Sequence, residues 1–459
     1  MLRSMRALGL GTVLGVAAAA MGCGWIIGLD EFKDQPPPGE QVDAGAGVEC
    51  TSPADCPTGE HGSPSCGAGA CSFACEDGFA DCDEMLGCET STSEDKSNCG
   101  GCGVTCSAYC VGSTCNDPVD VAAMSRHTCA ILKDGTVWCW GYNIGGYLGD
   151  GTTIDKSFPT RVLLPGPARQ VAGTGGFGDT HTCALLVDKT VACWGNNQYG
   201  ELGDGSTDST VTPVLALLTS VRQIATNRGS TCAVTTDDTL FCWGEIIPGW
   251  SPSPVQVAPS VSSVAMGGNH ACLITTTGVL RCWGSNTSGE LGIGPQGNQA
   301  APVTVNGIAN VVEVACGGAH TCARNGVGIY CWGSSSNGQL GLGDMTSHDV
   351  PQPLDLPSVE FIALGGLHSS VIVNGELYMW GVNGSGELGD GTAVDELSPK
   401  SIGLTSVKMT SLGSPRVVGA HSCALTDAGV LLCWGLNDVG QLGDGTTVSK
   451  SIPTPVVWP

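Results

Sequence analysis

Residues 127–141 read HTCAILKDGTVWCWG. His127 stands two positions before Cys129, and Cys139 follows ten residues further on. An imidazole and two thiolates are three of the four ligands of a tetrahedral zinc site. The two cysteines alone would make a redox pair or a structural disulfide. The motif recurs along the chain, and the way it varies separates these chemistries.

The cysteines pair as Cys129 with Cys139, Cys183 with Cys193, Cys232 with Cys242, Cys272 with Cys282, Cys322 with Cys331, and Cys423 with Cys433. One further unit carries Ser370 and Met379 instead, so both sulfurs disappear together. The histidine varies independently: Ser230 replaces it where both cysteines persist, and His368 persists where both are gone. Metal ligands should vary as a trio and disulfide partners as a pair, which predicts six disulfides and no metal. The turn Lys133-Asp134-Gly135 suits a three-residue hairpin loop with Gly135 in the left-handed position. Such a loop sets Cys129 opposite Cys139, within bridging reach. The unit without cysteines carries Asn374-Gly375, a two-residue hairpin signal. Each bridge closes a short loop and is expected to contribute roughly 2–3 kcal/mol in chain-entropy models.

Other candidate groups read as structural. His127, His181, His270, His320, His368 and His421 share one repeat position, whereas a catalytic base is needed once. Asp150, Asp204, Asp390 and Asp444 share another and read as turn formers rather than calcium ligands. GTGGFG at 173–178 fits a dinucleotide fingerprint, but a cysteine hairpin rather than a helix follows it. Cys316 lies outside the pairs, and its counterparts Met266 and Leu364 predict a buried, inert thiol. No Ser/His/Asp set and no pair of catalytic carboxylates stands out, so the sequence predicts neither an enzyme nor a cofactor.

The elements that position these residues repeat as well. Trp-Gly recurs at Trp140, Trp194, Trp243, Trp283, Trp332, Trp380 and Trp434, at spacings of 54, 49, 40, 49, 48 and 54 residues. Seven units near this length indicate a propeller or solenoid. Each unit runs from a VxxVA-type strand through a hairpin ending in WG to a Gly-rich loop and a Pro-led strand. That is four short strands without an amphipathic helix. The predicted fold class is all-β: a seven-bladed β-propeller preceded by a small disulfide-rich module. The ring is expected to be closed by N- and C-terminal strands of one blade, with SIPTPVVWP completing the blade that begins at Val119.

Ahead of the repeats, Arg3 and Arg6 precede an apolar run from Ala7 to Ala20. The run is too short to span a bilayer and is built like a secretory signal. AAMGC (19–23) resembles the lipobox of bacterial lipoproteins. That resemblance implies a signal peptide over 1–22 and acylation of Cys23, with an ordinary signal as the alternative. Residues 23–49, rich in Pro, Gly and acid, read as a flexible tether. Residues 50–116 hold twelve cysteines and few apolar residues, so disulfides of undetermined connectivity must stabilise them. CEDGFADCDEMLGCE and NCGGCGVTC resemble cysteine-rich modules of myxobacterial surface proteins. CGGC at 99–102 also fits a zinc or redox pattern, and Asp77, Asp81, Asp83 and Glu84 could hold calcium. Disulfides and a solvated acidic loop are the simpler readings. The propeller is assigned to 117–459.

WGYNIGGYLGDGTT (140–153), WGNNQYGELGDGST (194–207), WGVNGSGELGDGTA (380–393) and WGLNDVGQLGDGTT (434–447) resemble the repeat of the regulator of chromosome condensation family. The resemblance implies a seven-bladed propeller and leaves function open, since the fold hosts unrelated binding roles. A formal charge of −25 with no basic stripe repels phosphate backbones, which excludes nucleic acid as a partner. Ran nucleotide exchange, the activity of the eukaryotic namesake, does not fit an exported chain. The expectation is a monomeric, non-catalytic lipoprotein of the outer membrane or cell surface. It would touch the membrane only through its anchor and present a loop face to a protein or glycan partner. Alternatives are an inhibitor of a secreted enzyme, since a bacterial β-lactamase inhibitor has a similar propeller, and a glycan-processing enzyme. The latter would need acidic residues converging at the ring's centre. One unit breaks the pattern: WGEIIPGWSPSP (243–254) replaces the polar loop. Ile246, Ile247 and Trp250 are candidates there for a partner-binding apolar patch, against the reading that they fill space beside the shorter loop.

Overall fold

The second strand of each repeat shows why the units fold as they do. His127–Leu132 is buried at every position, although a strand alternates its side chains between two faces. Both faces must therefore be covered, which happens when sheets pack face to face around a ring. The fourth strand, Lys156–Arg161, is mostly half-buried or exposed and carries Pro159, as an outer edge strand tolerates.

The computed structural model describes residues 42–43, 51–56, 61–68, 70–80, 82, 90–174, 180–245, 249–413 and 420–459. Seven four-stranded antiparallel sheets follow one another in sequence. Blade one consists of Pro118–Ala123, His127–Leu132, Val137–Gly141 and Lys156–Arg161. Blades two to seven occupy 168–215, 221–258, 261–304, 311–354, 359–401 and 407–455. Val121–Ala123 of the first strand and its counterparts in other blades line a central channel of about 230 Å³. Among the described residues no helix is long and apolar enough to cross a membrane.

The expected closure by strands of one shared blade is not what the structure has. Each blade is built from four consecutive strands, and the C-terminal strand Lys450–Pro455 pairs within blade seven. Blade one already has its Pro-led strand, Lys156–Arg161, paired to Val137–Gly141. The seam is closed by side chains instead. Val121, Ala130, Leu132 and Trp140 of blade one share a core with Leu425, Leu431 and Leu442 of blade seven. Trp458, beyond the last strand, packs edge-on against Trp140 with ring centroids 6.0 Å apart. Arg126 pairs with Asp438 across the same junction.

The six blade cysteine pairs are disulfides in the structure. Cys129 faces Cys139 in register with Cα atoms 4.1 Å apart, the close approach of a non-hydrogen-bonded cross-strand pair. Gly135 has φ of +80° in the loop between them. In blade six Ser370 faces Met379 in the same way, across a turn in which Asn374 and Gly375 have φ of +50° and +73°.

Ahead of the blades, Cys56–Cys71, Cys82–Cys102, Cys99–Cys110 and Cys106–Cys115 are bonded, and Cys66 and Cys75 are disulfide-bonded as well. Cys99 and Cys102 therefore belong to different bridges, which removes the CxxC zinc reading. This stapled segment sits over the seam. Ser107 Oγ donates to the Gly429 carbonyl of blade seven at 2.6 Å, and Tyr109 lies against Trp138 and Trp458. Disulfides on this scale form in an oxidising, extracytoplasmic environment.

Candidate binding site

One pattern of side-chain bonds joins neighbouring blades, and it explains the repeated Trp, His and hydroxyl residues together. The loop after WG brings an xLG tripeptide onto the next blade. There the carbonyl of x accepts two bonds, one from the indole N–H and one from the hydroxyl that follows the histidine. At the junction of blades one and two, Tyr147 O accepts from Trp194 Nε1 at 2.7 Å and from Thr182 Oγ1 at 3.1 Å. Thr182 Oγ1 is also 2.9 Å from His127 Nε2 of the preceding blade. Because the hydroxyl spends its proton on the carbonyl, it accepts from the imidazole, which fixes His127 as the neutral Nε2–H form. Burial agrees, pushing His127 down to about 3.

The same contacts recur through Glu201, Glu290, Gln339, Glu387 and Gln441, whose carbonyls accept from Trp243, Trp332, Trp380, Trp434 and Trp140. The glycine of xLG makes the approach possible: a Cβ on Gly443 would stand 2.6 Å from Trp140 Nε1. Inside the loops, Asp150 Oδ1 accepts from Thr152 N at 2.9 Å and from Asn143 Nδ2 at 3.2 Å, so the repeated aspartate shapes its turn.

Among the described residues, the junction of blades three and four lacks all of these bonds. Blade three has no xLG loop. Ser230 stands where the histidine would, and it donates to Glu245 O of its own blade at 2.6 Å. Ala271 stands where the next blade's hydroxyl would. Trp283 is 6% exposed, against 0% for Trp140, Trp194, Trp243, Trp332, Trp380 and Trp434. Its indole N–H has no hydrogen-bond partner among the described residues. A cleft of about 550 Å³ begins here and crosses the loop face, from Asn227, Arg228 and Glu245 of blade three past Asn269 and Ser285 of blade four to Gln339 of blade five and Gly366 of blade six. A narrow extension of about 40 Å³ shares Asn227, Ser230, Glu245 and Asn269 with it and reaches Trp283.

Models of the Regulator of chromosome condensation (RCC1) repeat match residues 134–185, 278–324, 328–372, 374–423 and 428–459, and a second model of that repeat matches 119–146, 176–201 and 261–290. Together they span more than half of the chain. The chain belongs to this family. The matched stretches leave out 202–260, where the third RCC1-type blade departs from the pattern.

Among curated proteins, the chain is 33% identical over 97 residues to the E3 ubiquitin-protein ligase HERC2 of Homo sapiens, covering 21% of this chain and 2% of that one. It is 36% identical over 90 residues to the Protein RCC2 homolog of Danio rerio, covering 19% and 18%. It is 35% identical over 80 residues to the ultraviolet-B receptor UVR8 of Arabidopsis thaliana, covering 17% and 18%. It thus spans less than a fifth of these relatives. Prp20p of Saccharomyces cerevisiae shares the fold with a TM-score of 0.63 at 22% identity, over 74% of this chain and 86% of that one. Human WBSCR16 does so with a TM-score of 0.62 at 24% identity, over 71% and 94%.

Within this RCC1-type ring the remaining candidate residues fall as follows. Trp250 is 60% exposed at the start of the outer strand of blade three. Ile246, Ile247 and Cys23 lie outside the described residues, as do Asp81, Asp83, Glu84 and most of GTGGFG. Cys316 lines the central channel, half-buried, and desolvation pushes its thiol up to about 12. Asp120 and Glu313, the acidic side chains of the first strands nearest the channel, accept backbone bonds from Val171 and Ile362 of the next blades. Burial raises Asp120 to about 6. Sequence reasoning missed Ala271 and the Trp283 indole, which has no hydrogen-bond partner among the described residues. Aligning the unit after Ser230 with its neighbours would have shown the hydroxyl missing.

Proposed function

We propose that this chain is an exported, non-catalytic binding protein of the cell envelope. A lipid on Cys23 holds it to the membrane, and its propeller presents a loop face to a protein or glycan partner. The observation that supports this reading is where the chemically versatile groups go. All six repeated histidines bond across blade junctions, to Thr182, Thr231, Thr321, Ser369, Ser422 and Thr128. Groups held this way stiffen a scaffold. The loop face, by contrast, breaks its repeat at blade three and forms a cleft there.

Export is supported by the disulfides and by the arginines and apolar run of the first twenty residues. Lipidation is tested by metabolic labelling with a fatty-acid analogue followed by membrane fractionation. Label and membrane association are expected in the wild type and not in Cys23→Ala; equal fractionation of the two would overturn the anchor. The binding role is tested with the soluble Cys23→Ala chain against separated envelope polysaccharide and protein fractions. Saturable binding to one of them is expected, and turnover of either fraction would contradict a non-catalytic role.

A further inference from the structure

We infer that the cleft running from the junction of blades three and four across to blades five and six is a binding site for a neutral oligosaccharide, whose hydroxyls pair with its amide and hydroxyl lining and, at the blade three–four end, with the Trp283 indole N–H. The inference rests on the reading of the propeller as a binding platform, and it names the ligand class and the site.

Three losses coincide at this one junction: the xLG loop, the histidine and the partner hydroxyl. Loss of any one alone would leave the others buried without their partners, which is destabilising. Losing the histidine and the hydroxyl together avoids that cost and leaves the Trp283 indole N–H without a partner among the described residues. Its N–H is a donor on a side chain 6% exposed, lining the inner end of an open cleft. An indole donor with no partner among the described residues, at the end of an open cleft, is available to an acceptor on whatever enters.

The lining selects the class of ligand. Asn227, Asn269, Asn298, Ser285, Thr287 and Ser288 line the cleft. Amides and hydroxyls both donate and accept, as the hydroxyls of a sugar do. The Asn269 side chain is exposed and makes no hydrogen bond among the described residues, so it is available to a ligand. Apolar anchors of a protein partner find little here, since binding hot spots for proteins bury aromatic and aliphatic groups in desolvated pockets. Anionic ligands meet Glu245 and Glu290 in the lining and a chain of net charge −25, against one arginine, Arg228. A volume of about 550 Å³ lies within the range of small-ligand sites and has room for more than one sugar ring.

The test uses the disulfide-intact soluble chain. Its probes are neutral tri- and tetrasaccharides of hexoses and N-acetylhexosamines, matched uronic-acid and phosphorylated oligosaccharides, and soluble envelope proteins. Affinities are measured calorimetrically, and the tryptophan indole N–H resonances are followed by nuclear magnetic resonance. A neutral oligosaccharide is expected to bind and to shift the Trp283 resonance while the six carbonyl-bonded indoles stay in place. Asn269→Leu is expected to weaken binding at least tenfold and Trp283→Phe severalfold. Ile452→Ser, on an exposed outer strand, should leave binding unchanged. The retained indole spectrum of each variant reports that it has folded. Binding confined to acidic sugars, sugar binding indifferent to Asn269→Leu, or a Trp283 resonance that never moves would overturn the site. No sugar binding alongside saturable binding of an envelope protein would overturn the saccharide claim and leave the binding platform standing. Binding of neither class would overturn both.

Discussion

Thr128 Oγ1 in the first blade lies 2.6 Å from His421 Nε2 in the last, and it donates to the carbonyl of Gln441 at 2.8 Å. His127 and Thr182 make the same contact at 2.9 Å between blades one and two. The first and last blades of the ring are therefore joined by the bonds that join ordinary neighbours. Thr128→Val should cost as much as Thr182→Val, about 1–3 kcal/mol for each buried group left unpaired. Thermal unfolding of the two variants measures this. A seam held chiefly by other means would leave Thr128→Val nearly silent while Thr182→Val destabilises.

The tryptophans give a sharper internal comparison. Trp332 Nε1 donates to Glu290 O at 3.0 Å, whereas Trp283 has no such acceptor among the described residues. Phenylalanine at either site keeps most of the apolar burial. Trp332→Phe should therefore cost more than Trp283→Phe by about 1 kcal/mol, the net worth of a typical hydrogen bond plus part of the penalty on the orphaned carbonyl. Equal losses in denaturation midpoint would contradict the account of the third junction.

Blade six lacks a staple but keeps the geometry for one. Ser370 faces Met379 in register, nine positions apart, as Cys322 and Cys331 are in blade five. Ser370→Cys with Met379→Cys is expected to oxidise to a seventh blade disulfide. It should raise the melting temperature, though by less than the roughly 2–3 kcal/mol of an ideal short loop, because Ser370 gives up its 2.9 Å bond to Thr410. Conversely, Cys272→Ala with Cys282→Ala should cost about 2–3 kcal/mol. Thiol titration with calorimetry reads both, and a double cysteine variant that stays reduced would refute the register argument.

Acid should unfold the ring in a defined window. Burial holds His127, His320 and His421 down to about 3 and His181 and His368 down to about 4. Their folded values lie below the unfolded value of about 6.5, so the unfolded state takes up protons first as pH falls. Stability is full above that value and is lost progressively below it, at up to about 1.4 kcal/mol per pH unit per histidine. Asp120, raised to about 6 by burial, opposes this weakly by gaining stability on protonation. Melting temperature should hold near neutrality and fall steeply between pH 6 and 4, and His127→Gln should flatten the slope. A profile flat to pH 4 would contradict buried neutral histidines.

Local features were legible in the sequence because they are set by short spacings. The ten-residue separation of Cys129 and Cys139 with a Gly135 turn dictates a hairpin register, and the Trp-Gly period dictates seven blades. Closure was misread because a strand pattern counts strands without saying which sheet each one joins; Lys156–Arg161 already completes blade one. The seam depends on contacts such as Thr128 to His421, separated by 293 residues, which no local pattern encodes. Ser230 and the shortened loop were visible, but their meaning needed the neighbour. Only when Ala271 is placed opposite Ser230 does the change become a missing bond rather than a single substitution.

The central claim is that binding occurs where the repeat breaks. Hydrogen–deuterium exchange of the disulfide-intact chain, with and without the envelope fraction that binds it, tests this most directly. Protection is predicted in peptides holding Asn227 to Gly229, Gly268 to Asn269 and Ser285 to Ser288. Protection centred on the outer strands around Phe158 and Ile452, on the cysteine-rich segment, or spread evenly over the seven blades would contradict it.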